Sequence, residues 1–328
     1  MTFVSILLAL IAEQFRALGR NNPIYDVVRA LGDRAEHAFD TGRPRDAALA
    51  WLTVVVPLVL AAVVVHYLLA SISVALTLVW NVLLLYLTLG FRQFSHYFTD
   101  IHEALNRDDL HAARTLLHEW TGQDTVDMPV TEIVRHTLEA AIVAVHRHVF
   151  GVFFWFLVPI GPGGVVLYRT AEYLSRLWNA PSNERSPALG RFAAKAFYVL
   201  DWVPSRLTAI GFAIVGNFED AIYAWRNHAR KWNDAVNGIL LASGGGALGV
   251  RLGQPLAEDD SRVMLRTSLA GVDYAPGMSD LSDAEPVPPE YGAEPGVRTL
   301  QSAVGLVWRA VILWMLLLAM ISLALWVG

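Results

Sequence analysis

Residues 47–70 read AALAWLTVVVPLVLAAVVVHYLLA, and residues 71–90 read SISVALTLVWNVLLLYLTLG. Neither run contains an Asp, Glu, Lys or Arg. Each is about long enough to cross the hydrocarbon core of a bilayer, which is roughly 30 Å thick and takes about 20 helical residues. Because hydrocarbon offers no partners to backbone N–H and C=O groups, such runs must be helical. The two runs therefore predict a transmembrane helical hairpin.

The rest of the composition agrees with an integral membrane protein. A third apolar run lies at Ala310–Val327, and 55% hydrophobic against 17% charged residues is more apolar than a soluble surface tolerates. Cysteine is absent, which excludes disulfides, thiolate catalysis and Cys-ligated zinc. A shorter apolar stretch, Phe3–Ala12, is followed by Glu13 and Arg16 without a small-residue cleavage site, so we expect it to be retained.

Basic residues predict the orientation of the hairpin. Arg34, Arg43 and Arg45 precede it and Arg107 follows it, whereas the turn at Ala70–Ser73 carries none. Since short cytoplasmic loops are enriched in Lys and Arg, both flanks of the hairpin are expected to be cytoplasmic.

We expect an all-α integral membrane protein in which transmembrane helices are joined by re-entrant and amphipathic helices packed on the cytoplasmic side. The chain divides into a short apolar N-terminal segment with a basic loop (1–46), the transmembrane hairpin (47–90), a helical core (91–253), an acidic linker rich in Pro and Gly (254–299) and a C-terminal transmembrane helix (300–328). The segment 254–299 is assigned as a flexible linker because it is acidic and rich in Pro and Gly.

Within the core, local patterns predict several helices and breaks. Two short helices are expected to meet at Asn106–Asp109, with Asp108 or Asp109 as the helix cap. The apolar run 149–168 contains Pro159 and the sequence Gly161-Pro162-Gly163-Gly164, which predicts a broken or re-entrant helix.

Two amphipathic helices are expected further on, at Leu189–Leu200 and Pro204–Val215. The glycines of Gly244–Gly249 lack a phosphate-binding lysine and a preceding strand, so a tight backbone turn is predicted there in place of a nucleotide-binding loop.

Candidate chemistry is carried by His, Asp and Arg side chains. His146 and His148 stand two residues apart, which places them on different helix faces, and no metal site is predicted. Asp124 lies at a helix–loop junction, where an Asx turn is the alternative to a functional role. Arg169 and Arg206 could bind a phosphate or carboxylate through their planar guanidinium groups, or could extend to lipid headgroups.

Several ordered motifs resemble the cobalamin-biosynthesis CobD/CbiB family over nearly the whole chain. They are Arg107–Arg114 with Gly122–Thr125, Phe154-Trp155, Gly161–Gly164 with Tyr168-Arg169, Pro204–Leu207 and Gly246–Gly253. The resemblance implies a multi-span membrane protein related to adenosylcobinamide-phosphate synthases, which join an aminopropanol phosphate to a corrinoid carboxylate in an ATP-dependent amide synthesis.

The chain departs from that family at its acidic signature. The Glu-Asn-x-x-Asp-Gly motif of the family falls here on Val143, Ala144, Arg147 and His148, and its Asp-Asp pair falls on Phe197 and Tyr198; its Asn and Asp after Tyr-Arg fall on Glu172 and Ser175. ATP-dependent amide synthesis needs carboxylates that hold magnesium on the nucleotide phosphates. These substitutions predict that synthase activity is lost.

The stretches His146–Gly151 and Leu200–Leu207 are similar instead to the AmpE branch of the superfamily, inner-membrane proteins implicated in regulating β-lactamase expression. One hypothesis is therefore a regulatory or envelope-related protein of the bacterial inner membrane, which uses no cofactor and binds a small anionic or phosphate-bearing ligand. The alternative is a Mg-ATP-dependent enzyme of corrinoid metabolism with a relocated site at Asp124, Glu139, Glu172 and Asp201.

The lipid bilayer is the expected partner under both hypotheses; no nucleic acid is expected, and a protein partner is undefined. The candidate ligand-binding residues are Asp124, Tyr168, Arg169, Asp201, Arg206 and Arg251. We expect Arg169, Arg206 and Asp124 to form one polar cluster, with Asp124 as the partner of the arginines and Asp201 in reserve, because buried charge near a bilayer needs a partner.

Overall fold

The computed structural model describes residues 2–15, 23–158, 160–180, 186–232, 234–253 and 292–327. Its helices are α1 (Thr2–Phe15), α2 (Pro23–Phe39), α3 (Pro44–Ile72), α4 (Val74–Thr88), α5 (Phe91–Asn106), α6 (Leu110–Thr121), α7 (Val130–Val145), α8 (Gly151–Leu157), α9 (Pro162–Asn179), α10 (Pro187–Val215), α11 (Phe218–His228), α12 (Ala235–Leu248) and α13 (Val297–Val327). A π-helical turn (His146–Phe150) joins α7 to α8, and a 3-10 turn (Ala229–Lys231) follows α11.

The protein is an all-α membrane protein, as predicted. Among the described residues, four helical stretches are long and apolar enough to cross a bilayer: Pro44–Ile72, Val130–Leu157, Pro187–Val215 and Val297–Ala324. Helix α4 has 15 residues, about 22 Å at 1.5 Å per residue, which is shorter than a hydrocarbon core. The second crossing of the hairpin and its orientation therefore remain predictions.

The hairpin is joined at Ser73, whose side chain caps α4 by accepting a hydrogen bond from the backbone N–H of Ala75 at 3.2 Å. Two of its polar side chains, one from each helix, satisfy each other, since His66 Nδ1 lies 3.0 Å from Asn81 Oδ1. Trp80 Nε1 also donates to the carbonyl oxygen of Ala62 at 3.3 Å. Pairing of this kind is what polar groups need in an apolar environment.

The predicted junction between α5 and α6 is confirmed. Helix α5 ends at Asn106 and α6 begins at Leu110. Asp109 is the cap, because its carboxylate accepts a hydrogen bond from the backbone N–H of Ala112 at 3.0 Å.

The predicted break in the apolar run is also present, between the end of α8 at Leu157 and the start of α9 at Pro162. Gly161 adopts a φ of 56° there, a conformation that glycine takes without strain. The first half of the run is not a helix of its own, however. It is the last part of a helical stretch that starts at Val130 and passes through the π-helical turn.

The two helices expected at Leu189–Leu200 and Pro204–Val215 form one continuous helix, α10, with Pro204 inside it. Proline lacks an N–H, so the carbonyl group of residue 200 loses its usual partner. Trp155 Nε1 from α8 donates to the Leu200 carbonyl oxygen at 3.2 Å and replaces that lost bond. A tertiary contact therefore permits the helix to continue where the local sequence predicts a stop.

We expect Trp155→Phe to lower the free energy of unfolding by about 0.5–1.5 kcal/mol, because it removes the donor of the part-buried hydrogen bond to the Leu200 carbonyl. Unfolding in mixed micelles, followed by circular dichroism, measures the loss. Trp202→Phe on α10 is the matched control, since Trp202 is 45% exposed. Equal effects of the two changes would contradict the role given to Trp155.

The tight turn predicted at Gly244–Gly249 is wrong for its first part, because Gly244, Gly245 and Gly246 lie inside α12. These glycines allow close helix packing. A Cβ on Gly246 would lie 2.5 Å from the Asp220 carbonyl oxygen and 2.6 Å from Ala221 Cα on α11. Only Gly249 is in the left-handed region, with φ of 71°, where it ends the helix.

The predicted flexible linker lies mostly outside the described residues, which resume at Gly292. From there the chain returns to the end of α12. Arg251 N donates to the Ala293 carbonyl oxygen at 2.9 Å, and Ala293 N donates to the Gly249 carbonyl oxygen at 3.0 Å. In the described part of the chain, this Val250–Ala293 bridge is the one extended pairing.

Candidate functional site

Polar side chains from several helices meet at the π-helical turn, in the interior of the bundle. We call this group the polar cluster. Its members are Tyr25 of α2, His146, Arg147 and His148 of the π-helical turn, Tyr168, Arg169, Glu172 and Arg176 of α9, and Asp201 and Thr208 of α10.

One half of the polar cluster is centred on Asp201, which is fully buried. His146 Nε2 lies 2.8 Å from Asp201 Oδ1, and the Tyr168 hydroxyl donates to the same oxygen at 2.9 Å. The other ring nitrogen of His146 lies 2.9 Å from the Thr208 hydroxyl. Burial and the Asp201 carboxylate raise the pKa of Tyr168 well above its usual value, so the phenol stays protonated and donates.

The other half is centred on Glu172, which is 2% exposed. Arg169 NH1 donates to Glu172 Oε2 at 3.2 Å, and Arg176 Nε lies 2.6 Å from Glu172 Oε1. Burial alone would raise the pKa of Glu172, but Arg176 and Arg169 outweigh it and lower that pKa to about 2. Glu172 is therefore ionised at neutral pH and is shared by two cations.

Arg169 has further partners on other helices. Its NH2 group donates to the Tyr25 hydroxyl at 2.5 Å and lies 3.3 Å from His148 Nδ1. Arg169 is only 4% exposed. A guanidinium group stays charged in proteins, so Arg169 is a buried cation held by one carboxylate, one phenol and one imidazole.

Some polar atoms of the cluster have spare hydrogen-bonding capacity. Arg147 Nε, Arg169 Nε and Asp201 Oδ2 are buried and have no partner among the described residues. Arg147 has a long contact of 3.4 Å from its NH2 group to Asn237 Oδ1 and lies over the Phe197 ring. Two unpaired guanidinium N–H groups could bind an anion or ordered water.

The polar cluster does not resemble a metal site. Among the described residues, no group of three or more His, Asp or Glu side chains could hold a metal ion. His146 faces Asp201 whereas His148 faces Arg169, in keeping with the different helix faces predicted for them.

Three of the predicted ligand-binding residues, Tyr168, Arg169 and Asp201, lie in the polar cluster, although their role in binding stays a prediction. The partner expected for Arg169 is wrong: Glu172 pairs with it, and Asp124 does not. Asp124 is exposed and accepts a hydrogen bond from the N–H of Val126 at 3.2 Å, which is the Asx turn considered as the alternative.

Arg206 is also outside the polar cluster. Its NH1 group donates to the carbonyl oxygen of Trp202, one turn earlier on α10, at 2.7 Å, and its guanidinium lies 3.8 Å from the Trp202 ring centroid. The single cluster expected for Arg169, Arg206 and Asp124 therefore does not form. Arg251 lies beyond α12, where its backbone binds Ala293.

Two members of the polar cluster were not assigned from the sequence as partners of Arg169. Glu172 entered only the enzyme hypothesis, although its spacing of three residues from Arg169 is a signal for an ion pair on one helix face. Tyr25 lies 144 positions from Arg169 in the chain, and no local pattern links the two.

These observations define a class: an all-α membrane protein with a buried ionic centre between its helices. The family model described as CobD/Cbib protein matches residues 7–267, and the chain belongs to this family.

Two relatives named cobalamin biosynthesis protein CobD are similar to the chain. The one from Stutzerimonas stutzeri (strain A1501) is 30% identical over 322 residues, which covers 96% of both chains. The one from Chromobacterium violaceum is 35% identical over 178 residues, which covers 54% of this chain and 56% of that protein. Protein AmpE of Shigella flexneri is 26% identical over 232 residues, 69% of this chain and 78% of that protein. No solved structure matches the chain.

Proposed function

We propose that this protein is a regulatory, ligand-binding member of the CobD/CbiB family in the bacterial inner membrane, and that it does not carry out ATP-dependent amide synthesis. The observation that carries the proposal is the charge of the polar cluster. The polar cluster holds three arginines, Arg147, Arg169 and Arg176, against two carboxylates, Glu172 and Asp201, so one positive charge remains to attract an anion.

Magnesium does not fit the residues present. Glu172 is engaged by two arginines, and Asp201 Oδ1 is engaged by His146 and Tyr168, so Asp201 Oδ2 is the one carboxylate oxygen of the polar cluster without a partner among the described residues. Arg147 and His148 stand where the family has acidic and glycine residues. The Arg147 guanidinium repels Mg²⁺, whereas it would favour a carboxylate or phosphate group on a ligand.

A regulatory role is supported by the resemblance of the His146–Gly151 and Leu200–Leu207 stretches to the AmpE branch and by the 26% identity to Protein AmpE over 69% of this chain. In this role the ligand would be sensed at the polar cluster, where its binding would alter the packing of α9 against α10. No chemical change to the ligand is required.

A second candidate function is a part in cobalamin biosynthesis. It is favoured by the relatives named CobD, which are more similar to the chain than AmpE is, one of them over 96% of both lengths. The two candidate functions differ in whether this protein can substitute for adenosylcobinamide-phosphate synthase in a strain that lacks it.

Complementation separates them. We expect this gene to give no growth to a strain that lacks adenosylcobinamide-phosphate synthase and is fed cobyric acid, because the magnesium-binding carboxylates are missing. In a strain that lacks AmpE, we expect it to restore the normal level of inducible β-lactamase activity. The positive controls are a synthase gene supplied to the first strain and an AmpE gene supplied to the second.

Growth of the synthase-null strain would contradict the regulatory proposal and favour the cobalamin role. Immunodetection of the protein in the membrane fraction of each strain verifies that it is expressed, so that a failure to complement reports on function.

A further inference from the structure

A cavity of about 370 Å³ lies beside the polar cluster, between α2, the α3–α4 hairpin and α9. Small-molecule sites are of this size or larger, from about 300 to 1,000 Å³. The lining is almost all hydrocarbon, as its side chains show: Val28, Leu58, Ala62, Val65, Leu84 and Val166.

Arg169 is the one charged residue of this lining. It is the same arginine that belongs to the polar cluster, so the cavity connects an apolar space with a buried cation. Arg169 Nε has no partner in the described part of the chain. An apolar chamber with one guanidinium group at its wall suits a molecule with a hydrocarbon chain and an acidic head.

The position of the cavity points to the bilayer as the source of its occupant. Its walls include α3, which is long and apolar enough to span a membrane. Two of its lining residues, Val27 and Ala61, are exposed, so the cavity opens outwards. A lipid-soluble molecule can reach such an opening sideways, and apolar cavities hold water poorly.

We infer that the cavity binds an anionic amphiphile, whose hydrocarbon chain lies between α3, α4 and α9 and whose carboxylate or phosphate head binds Arg169. This inference rests on the proposed function and names the class of its ligand. A cavity with one charge beside an apolar space selects ligands by the charge of their head group and by the presence of a hydrocarbon chain.

The test uses the full-length protein in lipid nanodiscs and four photoreactive probes that carry the same diazirine-bearing C16 chain. Their heads are a carboxylate, a phosphate monoester, a neutral alcohol and a trimethylammonium group. We expect the two anionic probes to label cavity-lining peptides about tenfold more than the alcohol, as is reasonable for a charge-assisted hydrogen bond to a buried arginine. The stronger of the two anionic probes distinguishes a fatty-acid source from a phospholipid source.

Two variants and one control locate the site. Ala61→Phe should block the chamber and reduce anionic labelling to the level of the alcohol. Leu60→Phe adds a ring at a neighbouring exposed position of α3 that does not line the cavity, and should leave labelling unchanged. Arg169→Gln should remove the preference for anionic heads while the chamber remains. Thermal melting of each variant verifies that it is folded.

Inorganic phosphate is a separate probe for the proposed function. If that function is right, phosphate should raise the melting temperature of the protein, and Arg169→Gln should abolish the rise. Phosphate protection without any preference among the acyl probes would overturn the amphiphile inference and leave the proposed function standing. Equal labelling by the alcohol and the anions would show a lipid-facing groove only and would also overturn the inference. Failure of both phosphate and acyl anions to bind would overturn both proposals.

Discussion

The variant Glu172→Leu is expected to lower the free energy of unfolding by about 3–5 kcal/mol, the cost of leaving a buried charge without its partner. Arg169 is 4% exposed and has Glu172 as its carboxylate partner. Its remaining contacts, the Tyr25 hydroxyl and His148 Nδ1, carry no negative charge to balance the guanidinium. Arg176 is less affected, because its side chain is 55% exposed and can turn to solvent.

Unfolding in mixed micelles, followed by circular dichroism, measures this loss. The matched control is Glu103→Leu, which breaks the pair of Glu103 with Arg107 one turn away, where the side chains are 56% and 71% exposed. Surface pairs contribute about 0–1 kcal/mol, so the control should lose little.

A double variant tests the explanation itself. Removal of both charges, by Arg169→Met together with Glu172→Leu, should recover more than half of the stability that Glu172→Leu loses, since an apolar pair of similar volume can replace a buried ion pair. If the double variant is less stable than Glu172→Leu, the uncompensated charge is not the cause of the loss.

The parts of the fold that sequence predicts are those fixed by local interactions. The cap at Asp109, the break after Leu157 and the uncharged run of α3 each depend on residues within a few positions. The continuity of α10 could not be predicted in this way. Pro204 is a local signal for a stop, and the donor that compensates for it, Trp155, lies 45 positions from Leu200 in the chain.

The candidate site shows the same difference between what local sequence predicts and what tertiary contacts decide. Tyr168, Arg169 and Asp201 were selected from motifs, but the partner of Arg169 was placed on Asp124, a residue that turns out to hold its own loop. The correct partner, Glu172, is only one helical turn from Arg169. Its assignment requires knowing that this face of α9 is buried, because an exposed pair at the same spacing contributes little.

Replacement of Asp201 by alanine (Asp201→Ala) should lower the free energy of unfolding by about 2–6 kcal/mol, because two buried groups lose one shared acceptor and each unsatisfied group costs about 1–3 kcal/mol. His146 Nε2 and the Tyr168 hydroxyl both bind Asp201 Oδ1. The same unfolding measurement applies. Asp127→Ala, at an exposed turn, is the control, and a change within about 0.5 kcal/mol is expected for it.

A double-mutant cycle tests whether the lost hydrogen bonds cause the destabilisation by Asp201→Ala. Tyr168→Phe removes the donor that Asp201→Ala leaves unsatisfied, so the double variant should lose less than the sum of the two single losses; strict additivity would contradict the shared hydrogen bond. Asp201 joins α10 to α9 through Tyr168 and to the π-helical turn through His146. Arg169 follows Tyr168 on α9, so the position of the buried cation depends on this link. Asp201→Ala should therefore weaken phosphate protection even under conditions in which the variant remains folded.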